Sequence, residues 1–231
     1  MQNKMLKEKL DKVFADIKDG NNFGEPIHLV GATKMVDVGT INKAIEYGLK
    51  IVGENKVQEF RDKHLSIVGA EEHFIGHLQT NKVKYLVGNV SLIQSVDSVK
   101  LSAEIDRQAK KKNLVQEVLI EVNIGGELSK SGFSLDDAFD SVLQISKQFE
   151  NVKIVGLMAM LPHSNDQEFL ASLCKKMRDL FDKLKKQGLP FEYLSMGMSN
   201  DYLIAIKNGS NMIRLGTTIF GQRIYQNIKE N

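Results

Sequence analysis

What this chain lacks narrows the field. It holds one cysteine, Cys174, so no disulfide can close within it and no thiolate-rich zinc site can be built. Cys174 lies in the amphipathic stretch FLASLCKKMRDLFDKL and reads as a small buried apolar residue, not a nucleophile. There are only three prolines and no low-complexity linker, so residues 1–231 read as one domain. Charge of one sign is also missing. The 31 basic and 29 acidic residues leave a net +2, which gives no bulk attraction to nucleic acid or to an anionic membrane. The lysine clusters at 110–112, 175–176 and 185–186 fall in helical patterns and read as solvated helix faces. No apolar run approaches the roughly 20 residues that span a bilayer. The N-terminal MQNKMLKEKLDKVFADI is an amphipathic helix without a signal-peptide apolar core. A reducing cytoplasm is the expected location.

What is present is alternation. Short apolar runs recur at 27–33, 50–53, 73–78, 90–96, 116–123, 152–160, 191–197 and 211–217. Helical patterns separate them: DVGTINKAIEYG, NKVQEFRDKHLSI, TNKVKYLVG, DSVKLSAEIDRQAKKKN, SLDDAFDSVLQISKQF, NDQEFLASLCKKMRDLFDKLKKQ and SNDYLIAIKNG, with a last helix expected near Gln222. Alternating strands and helices imply a parallel sheet. Eight such units in this length, after one leading helix, fit an α/β fold of the (β/α)₈ TIM-barrel type. An open doubly wound sheet is the runner-up, but its glycine-rich phosphate turn is absent: the first strand runs into GATKMVDVG.

In such barrels function collects at the carboxyl ends of the strands. Lys34 follows the first strand behind Gly31 and Ala32. It is either a surface lysine or an amine desolvated enough to attack an aldehyde, and position alone leaves both open. After the seventh strand, Ser199-Asn200-Asp201 reads as a helix cap. After the eighth, Gly216-Thr217 lets backbone N–H groups approach a ligand closely. Loops after strands 7 and 8 commonly bind phosphate in this fold. Arg214 stands within the apolar MIRLG, where an inward guanidinium must find acceptors, and a ring nitrogen facing it would stay unprotonated. Strand 1 and strand 8 are neighbours in a closed barrel. An amine, an arginine and a phosphate cradle brought together there fit pyridoxal 5′-phosphate (PLP). A sugar-phosphate aldolase with a lysine Schiff base shares the amine and the phosphate site. It would need acid–base carboxylates, for which Glu121 is the main candidate, although Glu121 is expected to satisfy an internal network instead.

At these residues the sequence resembles the pyridoxal-phosphate homeostasis protein family, whose barrel is similar to the N-terminal domain of alanine racemases. The matching blocks are LVGATK (29–34), VGENKVQEF (52–60), HFIGHLQTNK (73–82), SVDS (95–98), EVNIGGELSKSGF (121–133), GLMAM (156–160), LSMGMSNDYLIAI (194–206) and IRLGTTIFGQR (213–223). The resemblance implies an internal aldimine on Lys34, phosphate contacts from Ser199, Gly216 and Thr217, and Arg214 facing the pyridine nitrogen. It places Asn55 and Met196 in the cofactor pocket and His77 at its mouth. Met35-Val36-Asp37 depart from the polar residue and proline that many relatives carry after the lysine. The family implies a non-catalytic binder that balances vitamin B6 pools as a carrier, buffer or regulator, with PLP-dependent apoenzymes as candidate recipients. A minimal PLP-dependent racemase is the alternative. Alanine racemases take a second base, a tyrosine, from an extra C-terminal β domain. Here only IYQNIKEN follows the last block, with Tyr225 in it, so a monomer without that base is expected.

Overall fold

In the computed structural model, which describes residues 2–127 and 130–222, the eight apolar runs pair side by side and all in parallel. The strands are β1 (His28–Ala32), β2 (Ile51–Glu54), β3 (Glu71–Phe74), β4 (Leu92–Val96), β5 (Gln116–Asn123), β6 (Phe133–Ser134), β7 (Val152–Ala159), β8 (Tyr193–Ser195) and β9 (Met212–Leu215). Successive strands pair from β1 to β5, then β5 with β7, β7 with β8 and β8 with β9. Pairing of β9 with β1 closes the ring. The two-residue β6 hangs on the outer end of β5 and is not one of the eight barrel staves. This is the expected (β/α)₈ barrel.

Alternation along each strand sorts its side chains. Val30, Ile51, Ile75, Leu92, Leu119, Val155, Met158 and Met212 fill the barrel interior. The other strand face packs on the helices: Leu29 and Val52 meet Ile41 and Leu49, while Val118, Ile120 and Leu157 meet Ile105, Val142 and Leu173. Those helices are α1 (Gln2–Ile17), α2 (Val38–Glu46), α3 (Val57–Lys63), α4 (Val99–Lys111), α5 (Leu135–Gln148), α6 (Gln167–Lys186), α7 (Tyr202–Lys207) and α8 (Thr217–Phe220). Four of them start where a side chain satisfies an otherwise orphaned N–H. Asp37 accepts from Thr40, Ser98 from Leu101, Ser134 from Asp137 and Asp166 from Phe169. Lys110, Lys111, Lys175 and Lys176 are exposed, as solvated helix faces should be. Cys174 is fully buried, and burial pushes its thiol up to about 12, so it is an inert core residue.

The structure corrects two local expectations. The stretch expected as a helix at TNKVKYLVG is a 3₁₀ turn, Thr80–Tyr85, entered from Gln79 without a side-chain cap. The third strand lies earlier than its apolar signal, at 71–74 instead of 73–78. Its first residues sit at the wet amino-terminal rim, while Ile75 and Leu78 turn inward beyond the strand end to pack under the loops. The chain after β9 forms α8 directly at Thr217; the helix expected from Gln222, and Tyr225, lie outside the described residues.

Candidate functional site

The carboxyl ends of the strands surround a cavity of ≈ 970 Å³. Ala32 of β1, Asn55 after β2, Ile75 after β3 and Arg214 of β9 reach it from the strands, and Ser199, Gly216 and Thr217 reach it from the following loops. Five of the seven residues expected at the site, Asn55, Ser199, Arg214, Gly216 and Thr217, therefore meet in one place. Two glycines make the approach possible. At Gly76 a Cβ would lie 2.0 Å from the Asn55 carbonyl oxygen, so only glycine lets the β3 end run beside Asn55. Gly197 adopts φ +97, which turns the chain after β8 toward Ser199.

Arg214 is buried and anchored from its outer edge. Nη1 donates to Ser195 O at 3.0 Å and Ser195 Oγ at 2.6 Å, and Nη2 donates to Ala159 O at 2.9 Å. These three contacts occupy at most three of the guanidinium's five N–H groups, which leaves donors for the cavity. Burial lowers its pKa to about 10, with Glu121 and Asp201 working the other way, so it is cationic at neutral pH. Ser195 is held in turn. Its Oγ donates to Gln94 Oε1 at 2.7 Å, and Gln94 Nε2 lies 2.9 Å from His73 Nδ1. Burial pushes His73 below the usual imidazole range, so Nδ1 is the acceptor of that bond. A polar thread therefore crosses the apolar barrel interior and ends on the arginine.

Ser199 works differently from a cap of the helix that follows it. That helix, α7, has Asp201 as its N-cap residue, without a capping bond. The Ser199 hydroxyl instead accepts from the Thr218 backbone N–H at 3.2 Å, across in the first turn of α8. This joins the loops after β8 and β9 into one cradle. The Ile219 and Phe220 N–H groups both donate back to the Gly216 carbonyl, at 3.1 and 2.8 Å, which closes the first turn of α8. Asp201 is an unfavourable neighbour for an anion. Burial pushes its carboxyl above the usual range, while the Met198 N–H and the Arg214 charge pull it back.

Two expected residues sit elsewhere. Met196 is fully buried in the outer core between barrel and helices, not in the cavity wall. Lys34 is half-buried in the turn two residues beyond Ala32, which lines the cavity, but is not itself one of the wall residues. Its ammonium has no hydrogen bond or ion pair to a described residue. His77 is exposed at the barrel mouth, 3.2 Å from Ser131 Oγ and 3.3 Å from Asp97 Oδ2. Glu121 does not join the expected hydrogen-bonded network among the described residues. Burial and the Asp97 charge push its carboxyl up, against the pull of Arg214 and His77. Sequence reasoning missed Leu161, Pro162 and His163 in the cavity wall. Their signal was available, since they continue directly from the sixth apolar run. Among the described residues no group of three or more His, Cys, Asp or Glu could hold a metal ion. No helix there is long and apolar enough to cross a membrane.

Comparison with known proteins agrees with this geometry. The family model for the alanine racemase N-terminal domain matches residues 28–224. A pyridoxal phosphate homeostasis protein of Aquifex aeolicus is 42% identical over 94% of this chain and 95% of its own length. One from Escherichia coli is 32% identical over 95% of this chain and 96% of its own length. Among solved structures, PipY of Synechococcus elongatus with PLP bound superposes with a TM-score of 0.82 at 28% identity, covering 94% of this chain and all of PipY. The chain belongs to the alanine racemase N-terminal domain family and, within it, to the pyridoxal phosphate homeostasis proteins.

Proposed function

We propose that this chain binds PLP without turning over a substrate, and serves vitamin B6 homeostasis as a carrier or buffer of the cofactor. The observation that carries the reading is the convergence of Arg214, Ser199, Gly216, Thr217 and Asn55 on one cavity at the strand ends. The residues present fit the cofactor. Arg214 keeps donors for a ring nitrogen, and it cannot protonate that nitrogen at neutral pH. Ser199 Oγ, having accepted from Thr218, still has its own proton to donate to a phosphate oxygen. Gly216 and Thr217, at the start of α8, line the same cavity. Lys34 is the proposed covalent anchor for the aldehyde, close enough along the chain to Ala32 for its long side chain to reach the wall. Met196 contributes to the pocket only by fixing the β8 end from behind.

When bound, PLP supplies an aldehyde that takes up amines and a ring that withdraws electrons. An arginine opposite the ring nitrogen weakens that withdrawal, as it does in the alanine racemases that this barrel resembles. The solved PipY complex and the homeostasis name of the curated relatives support the same reading. A monomer is the proposed state of the binding protein. PLP-dependent apoenzymes in the cytoplasm are the proposed recipients.

The test loads the purified protein with PLP, reduces it with borohydride and maps the adduct. A band near ~420 nm, lost on reduction to leave a pyridoxyl group on Lys34, is the expected result. A protein that cannot be loaded, or an adduct on another lysine, refutes the site. Enzyme-like exchange of the α-hydrogen of alanine in deuterated water refutes the non-catalytic role and favours a minimal racemase.

A further inference from the structure

The turn that carries Lys34 is gripped from outside the barrel by three charged side chains of the next strand–helix unit. Lys63, at the end of α3, donates from Nζ to the Thr33 carbonyl at 3.0 Å, to Glu54 Oε2 at 3.0 Å and to Glu59 Oε2 at 2.7 Å. Glu59 Oε2 also accepts from the Met35 backbone N–H at 2.7 Å. Glu54 Oε2 accepts from Thr33 Oγ1 at 3.1 Å, and its Oε1 accepts from the Asn55 N–H at 2.7 Å. The residue before Lys34 is thus held at its carbonyl and hydroxyl. The residue after it is held at its N–H. Lys34 itself is left with a free side chain.

The turn needs that grip. Val36 N–H donates to the Thr33 carbonyl at 2.9 Å, which makes Lys34 and Met35 the central residues of a β-turn. Met35 has φ +59, a conformation that such turns ordinarily reserve for Gly or Asn. A methionine there is strained and persists only where surrounding contacts over-determine it. The contacts are nearly buried: the side chains of Lys63, Glu54 and Glu59 are 13%, 6% and 21% exposed. Burial opposes ionisation of Glu59, but the bonds from Lys63 and Met35 N–H outweigh it and hold its carboxyl below the usual range. It is a charged acceptor at neutral pH.

We propose that Lys63, Glu54 and Glu59 are positioning residues for Lys34. They fix the Thr33–Val36 turn so that the Lys34 amine meets the cavity edge in one orientation before any ligand enters. The inference rests on the reading of Lys34 as the covalent anchor for PLP. Bonding there requires the neutral amine nitrogen to add to the aldehyde carbon, with the carbonyl oxygen leaving as water. That addition depends on an approach of about 3–3.5 Å with the lone pair aligned, which a wandering turn would rarely supply. Arg214, Ser199, Gly216 and Thr217 lie on β9 and the loops after β8 and β9, away from Glu59 and Lys63, while Asn55 adjoins the clasp through Glu54.

The separation of the two regions gives the test. Affinities for PLP and for pyridoxine 5′-phosphate are measured side by side. The second ligand keeps the ring and phosphate but carries an alcohol in place of the aldehyde, so it cannot bond to Lys34. Glu59→Leu removes the acceptor of the Met35 N–H and leaves the Lys63–Glu54 pair. Glu59→Gln restores an acceptor oxygen. Lys63→Met is the second variant, with circular dichroism to verify its fold, and Glu59→Leu decides the matter where Lys63→Met does not fold. The expected result is a loss of about tenfold or more in PLP affinity for Glu59→Leu, slower formation of the reducible adduct, and recovery in Glu59→Gln. Affinity for pyridoxine 5′-phosphate should stay within about twofold of the parent. Parallel weakening of both ligands would show that the clasp only supports the fold, and unchanged affinity for both would show that the turn needs no clasp. Either overturns the proposal. A parent protein that binds both ligands equally and yields no adduct on Lys34 instead overturns the anchor reading, and the positioning role falls with it.

Discussion

Replacing Gln94 by Leu tests whether the barrel interior is organised around Arg214. Gln94 is fully buried among apolar neighbours and both ends of its amide are used. Nε2 lies 2.9 Å from His73 Nδ1 and Oε1 accepts from Ser195 Oγ at 2.7 Å. Leucine has a similar volume, so the change opens little cavity. It leaves the Ser195 hydroxyl without its acceptor and His73 Nδ1 without its donor. Each stranded buried group costs about 1–3 kcal/mol. The better transfer of leucine returns roughly 1–2 kcal/mol. At mid-range values the net loss is about 2.5 kcal/mol, and for a chain of this size the melting midpoint falls by roughly 5–10 °C. A thermal melt followed by far-ultraviolet circular dichroism measures it. The same variant should weaken binding of pyridoxine 5′-phosphate, because Ser195 then no longer has a fixed orientation against Arg214 Nη1. A midpoint equal to or above that of the parent, with unchanged binding, would refute the view that the polar thread holds the arginine.

Two further outcomes follow from the same geometry. Glu121 has its carboxyl pushed up in the folded state, so the stability linked to its proton is present below the ordinary value of 4.5 and is lost as pH rises through the folded value. Glu121→Gln should therefore raise the melting midpoint at pH 7, with the gain vanishing in acid; a lowered midpoint at pH 7 would contradict the burial argument. Ser199→Ala should weaken pyridoxine 5′-phosphate by roughly 1.5–3 kcal/mol, the worth of one hydrogen bond to a charged group. A titration showing unchanged affinity, with only a small stability loss from the missing Thr218 partner, would confine Ser199 to capping α8.

Much of this could be read from sequence because one physical signal sufficed for each part. A strand covered on both faces is an apolar run, and all eight barrel strands announced themselves that way. The third was placed too late because its first residues, Glu71 and Glu72, sit at the wet rim, while apolar Ile75 and Leu78 belong to the turn beyond it. TNKVKYLVG carries apolar residues at helical spacing, yet Gly88 at φ +76 and the uncapped Gln79 hold it to a 3₁₀ turn. Small and hydroxyl residues after the last two strands were enough to place Ser199, Gly216 and Thr217 at the cavity, because a strand end and the loop that follows it are legible locally.

The parts that stayed hidden depend on partners that no local pattern encodes. Met196 looked like a pocket residue because it sits in a distinctive block, but strand alternation sends Ser195 inward and Met196 out to the helices. His73, Gln94 and Ser195 are polar residues within apolar runs, which marks them as candidates for burial in need of partners. Which partners they find depends on how β3, β4 and β8 are staggered around the ring, and the runs alone do not fix that stagger. The clasp on Lys34 is harder still. Lys63 reads as an ordinary last-turn lysine of an amphipathic helix, and Glu59 as its i,i+4 mate. Only the closed barrel brings that pair against the Thr33 carbonyl, thirty residues earlier in the chain, and turns a surface-type ion pair into a support for the turn that carries Lys34.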